Sequence, residues 1–78
     1  MKIKQLGANK TELHLNDGTI IFFSYETPVA ACLSEGGFIK TDLKYSVTTS
    51  KHITQWLAGA NAKIVSQSEI DILSGRLL

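Results

Sequence analysis

A chain of 78 residues, 44% apolar and 19% charged, has room for one small core and too much apolar content to be disordered. Its formal net charge of +1 is too near neutral to argue for bulk attraction to nucleic acid or to a membrane surface. The single cysteine, Cys32, excludes an internal disulfide and makes a reducing cytoplasm the expected compartment. No apolar run approaches the ~20 residues of a membrane span. Lys2, Lys4 and Lys10 interrupt any leader-like start. Residues 1–78 therefore read as a single domain.

The first segment, Met1 to Leu6, alternates and reads as an edge strand whose lysines discourage edge-to-edge pairing. Gly7 to Asn9 turns the chain. Thr11 to Asn16 is a second strand, with Leu13 and Leu15 on one face and Glu12 and His14 on the other. Asp17-Gly18 favours a two-residue hairpin turn, which pairs Asn16 with Thr19. The register that follows sets Leu15 opposite Ile20, Leu13 opposite Phe22 and Glu12 opposite Phe23. Leu13, Leu15, Ile20 and Phe22 then form the core face. Ile21, Phe23 and Tyr25 point the other way, beside Glu12 and His14. A strand apolar on both faces is either covered on both or part of a contact surface.

Thr27-Pro28 breaks the strand, because proline fixes φ and removes a donor. Val29 to Leu33 is a short strand, and Cys32 within its VAACL run reads as a small buried hydrophobe. Glu35 to Gly37 makes a turn, Phe38 to Thr41 a further strand. Ile53, Trp56 and Leu57 are spaced i, i+3, i+4, and a run of Thr48, Thr49 and Ser50 stands just before them. That pattern predicts a helix from about Ser50 to Ala58, capped by a hydroxyl and ended at Gly59, with Trp56 as its anchor. Lys63 to Val65 is a short sixth strand or an extended segment. Ser66 with Glu69 is a capping box, and Ile70, Leu73 and Leu77 give helical spacing, so Gln67 to Ser74 is a second, short helix. The fold class is α+β: a mainly antiparallel sheet of about five strands, a central helix and a short C-terminal helix.

Catalytic and metal chemistry find little support. His14, His52 and Cys32 are isolated, without ligand spacing. Ser50 and His52 stand two apart on a helix, so their side chains diverge. Gly36-Gly37 reads as a turn and not as a phosphate loop. No catalytic residue, metal site or cofactor is expected. The start of the central helix is the one place with a physical case for binding. Its free N–H groups face a field that favours anions, and Lys40, Lys44, Tyr45, Thr48, Thr49, Ser50 and Lys51 surround it. These groups either hold a phosphate or carboxylate of a partner, or cap the helix and remain solvated.

The stretches FFSYETPVAA and KYSVTTSKHITQWL together resemble a family of small bacteriophage and prophage proteins. The likeness covers roughly Asp17 to Leu57. Small phage proteins of this kind include anti-CRISPR inhibitors, so the resemblance implies a non-enzymatic protein that binds and inhibits a host nucleoprotein complex in the bacterial cytoplasm. It supplies no catalytic residues. The expected contacts are the seven residues around the helix start, with Ile21, Phe23 and Tyr25 as a second patch. The alternatives are a small nucleic-acid-binding accessory protein using the same cluster, and a homodimer joined through the aromatic face.

Overall fold

The computed structural model describes residues 2–75. Six strands form one sheet in sequential order: β1 (Lys2–Gly7), β2 (Lys10–His14), β3 (Ile20–Ser24), β4 (Thr27–Cys32), β5 (Phe38–Thr41) and β6 (Ala62–Val65). Helix α1 (Val47–Leu57) lies between β5 and β6, and α2 (Gln67–Leu73) follows β6. The first five strands are an antiparallel meander, and β6 pairs with β5 in parallel. A parallel neighbour needs a long crossover, which α1 supplies. The α+β class is as the sequence implies. The sixth strand is a full partner of β5 from Ala62 to Val65, which takes the count past five. Among the described residues, no helix is long and apolar enough to cross a membrane.

The β2–β3 hairpin departs from the expected register by one residue. Leu13 faces Ile21, His14 faces Ile20 and Glu12 faces Phe22. The turn is the cause. Leu15 N–H donates to Thr19 O at 2.8 Å and Gly18 N–H to Leu15 O at 3.2 Å. Among these residues only Gly18 has positive φ, at 96°. This is a three-residue loop in which a turn is followed by a left-handed glycine, and it competes with the two-residue form at an Asp-Gly pair. Asp17 stabilises it by accepting from Thr19 N–H at 2.9 Å. Those bonds hold the Asp17 carboxyl below the usual carboxylate range.

A one-residue slip exchanges the two faces of β3. Ile21, expected on a contact surface, is fully buried with Ala31, Ile39, Val65 and Ile70. Phe22, expected beside Leu13, belongs to the opposite core with Val29 and Ala30, under Ile53 and Trp56. Each face of the sheet is thus covered by one helix, α2 over the Ile21 side and α1 over the Phe22 side. Phe23 is half-buried against the α2-side core. Tyr25 is 49% exposed in the β3–β4 turn, with φ +60°. The aromatic patch therefore loses Ile21 to the core, while Phe23 and Tyr25 still line one small surface depression with Ile3, Thr11 and Leu13.

Thr27-Pro28 does not lie between strands but opens β4. Pro28 is buried, opposite Phe23, where the β3–β4 register shifts. A bulge is where a sheet tolerates a residue without N–H. Helix α1 begins three residues earlier than its apolar spacing suggests, because Ser46 is the cap. Its side chain accepts from Thr49 N–H at 3.1 Å, and its backbone is extended at φ −164°. The helix ends at Leu57, and Ala58, not Gly59, is the first left-handed residue, at φ 51°. Helix α2 is capped as expected, with Ser66 accepting from Glu69 N–H. Leu77 lies outside the described residues.

Candidate functional site

Helix geometry divides α1 into two working faces. Thr49, Ile53 and Trp56 are spaced i, i+4, i+7 and turn toward the sheet, while Val47, Ser50, Lys51, Thr54 and Gln55 turn away from it. Trp56 lies flat on Phe22, ring centroids 5.0 Å apart at 12°, and meets Phe38 edge-on at 5.8 Å. Its indole N–H donates to Glu12 Oε2 at 2.7 Å, and Glu12 Oε1 lies 2.8 Å from His14 Nε2. Burial pushes the Glu12 carboxyl up, but the bonds from Trp56 and His14 and the nearby positive charges of His14 and Lys4 outweigh it. The net direction is down. Because the folded-state value is depressed, this carboxylate stabilises the fold above its ordinary value of 4.5. That contribution is lost as pH falls through the folded-state value.

A second group of hydrogen bonds fastens β3 to α1. Ser24 Oγ lies 3.1 Å from Thr49 Oγ1 and 2.9 Å from His52 Nδ1. A hydroxyl at hydrogen-bond distance from an imidazole is the geometry of an activated nucleophile. Here Ser24 is 2% exposed and shares its hydroxyl with Thr49, itself 4% exposed. Glu12, the acid on this face, is committed to Trp56 and His14. The arrangement therefore works as a clamp between strand and helix. Sequence reading missed it because Ser24 and His52 are far apart in the chain; the visible sign was that Thr49 and His52 stand i, i+3 on one helical face.

The outer face of α1 and the loop before it form an open groove of about 670 Å³. Lys44, Tyr45, Val47, Ser50, Lys51 and Gln55 line it. Val47 is 74% exposed and Tyr45 45%. Nearby Leu43 is held by a bond from its N–H to Thr41 Oγ1 at 3.1 Å. The groove combines exposed apolar side chains with two lysines, and exposed apolar surface rimmed by polar groups is what a contact site presents. Of the residues singled out from the sequence, Lys44, Tyr45, Ser50 and Lys51 come together here. Thr48 is exposed on α1 outside the groove. Thr49 belongs to the buried clamp. Lys40 is on β5, opposite Ala30, on the α1 side of the sheet. Val47, Thr54 and Gln55 are lining residues that the hydroxyl-and-lysine pattern did not mark. Among the described residues no group of three or more His, Cys, Asp or Glu side chains could hold a metal ion.

A protein-family model matches residues 1–72. The chain belongs to a family of unknown function, DUF8033. Comparison with the curated proteins finds no match, and comparison with the solved structures finds none.

Proposed function

We propose that the protein is a non-enzymatic interaction protein that binds a partner through the groove beside the start of α1. The observation that carries this reading is the groove itself, where exposed Tyr45 and Val47 sit between Lys44 and Lys51. Apolar side chains give such a patch contact area, and the lysines give it preference for an acidic or phosphorylated surface. The resemblance to small phage proteins makes a host nucleoprotein complex in the bacterial cytoplasm, such as a CRISPR effector, the partner to test first. Binding there would inhibit the complex by occupying its surface.

The double substitution Lys44→Glu with Lys51→Glu tests this. Both lysines are exposed, so the thermal melt should stay close to that of the parent, as surface changes usually stay within about 0.5 kcal/mol. Capture of the effector complex from a bacterial lysate should fall at least tenfold, because attraction becomes like-charge repulsion. A variant that melts like the parent and captures the complex as well as the parent would show that the groove is not the contact surface.

A further inference from the structure

We infer that the α1 side of the molecule is a track for the backbone of a single-stranded nucleic acid. The near-neutral net charge conceals a separation that the sheet produces. Register places each lysine on a face. Lys4 is opposite Glu12, which accepts from Trp56 of α1, and Lys2 is opposite His14, on the same face of β2. Lys10 is opposite Ser24, which bonds Thr49 and His52 of α1. Lys40 is opposite Ala30, which lies under Ile53 and Trp56. Lys51 is on α1, and Lys44 lines its groove. Six of the seven lysines in the chain are therefore on the α1 side. Lys63 alone is opposite Ile39, in the core that α2 covers.

The acids do not share this bias. Helix α1 has none in VTTSKHITQWL, whereas α2 carries Glu69 and Asp71 and no basic residue in QSEIDIL. Asp17, Glu26 and Glu35 occupy hairpin turns and Asp42 the β5–α1 loop. Glu12 is the one acid within the α1-side rows, and its two oxygens are taken by Trp56 and His14. The side chain that Glu12 pairs with on this face is His14, not a lysine. Along this side, the groove continues into a second depression of about 240 Å³ lined by Lys10, His52 and Trp56. Gln55 lines both. The result is a strip from Lys10 past Gln55 and Lys51 to Lys44, with Tyr45 exposed at its end. Lysines spaced along a strip with an accessible aromatic ring suit a single strand, which offers phosphates to the former and an unstacked base to the latter. The inference rests on the groove being a binding surface, and names the nucleic acid of the complex as what the strip touches.

The test is fluorescence anisotropy of the full chain with a labelled single-stranded oligonucleotide of about twenty residues. Binding should be present at about 50 mM salt and weaken steeply toward about 200 mM, with a log–log slope of roughly −2 to −3 for three or four phosphate contacts. Lys10→Glu with Lys51→Glu should weaken it at least tenfold, while Lys63→Glu, on the other side, should stay within twofold, all three chains melting alike. No binding at about 100 μM protein, the weak end of non-specific affinity, would overturn the inference. So would equal losses in the two variants, or equal competition by a poly-glutamate peptide, which would assign the strip to acidic protein surfaces. Effector capture that survives nuclease treatment without any oligonucleotide binding would remove this inference and leave the groove as a protein contact.

Discussion

Trp56→Ala is expected to destabilise the protein by about 3 kcal/mol or more, within the range for removing a packed tryptophan. For a chain of 78 residues that is a large share of a total of roughly 4–12 kcal/mol. The substitution removes the stack on Phe22, the edge contact with Phe38 and the hydrogen bond to Glu12 together. It also leaves the Glu12 carboxylate, 16% exposed, with only His14 as a partner. Trp56→Phe should retain most of the stack and lose the bond, at about 1–2 kcal/mol. Chemical denaturation followed by circular dichroism measures both. An alanine variant with the parent's midpoint would show that α1 is held to the sheet by something other than this ring.

Ile21→Asp is expected to be more damaging still, at about 4 kcal/mol or beyond, because it places an unpaired carboxylate in a closed apolar core. Ile21 is fully buried on the α2 side. Ile20, half-buried opposite His14, should accept Asp at much lower cost. The pair of variants reads the register directly. A two-residue turn at Asp17-Gly18 would place Ile20 in the core and Ile21 on the face of Glu12 and His14, and would reverse the order of the two effects. Equilibrium unfolding of both proteins decides it, and Ile20→Asp as the worse variant would contradict the register described here.

Elements were legible where local chemistry decides them. The Ser66–Glu69 capping box marked α2 to within a residue of its end, and the Ile53–Trp56–Leu57 spacing marked the inner face of α1. Three hydroxyls in a row hid the cap of α1, because Ser46 stands before them and nothing local separates it from Thr48, Thr49 or Ser50 as a cap. The hairpin was legible as a hairpin, but an Asp-Gly pair supports two loop lengths, and the choice between them exchanged the faces of β3. That one-residue difference took Ile21 out of the expected contact surface. At the candidate site, Lys44, Tyr45, Ser50 and Lys51 were visible from composition, whereas Val47 and Gln55 needed the helix start to be placed correctly. The segregation of lysines was hidden in a net charge of +1, since it depends on which strand pairs with which.

The central claim is that the groove beside α1 meets a partner, and site-specific photo-cross-linking tests it most directly. A photoreactive amino acid would replace Val47, 74% exposed at the groove, or Ile72, 63% exposed on α2 at the far side of the sheet. Each chain would be irradiated with a CRISPR effector complex. The account predicts covalent adducts from position 47 and none from position 72. Adducts from position 72 with none from position 47 would contradict it.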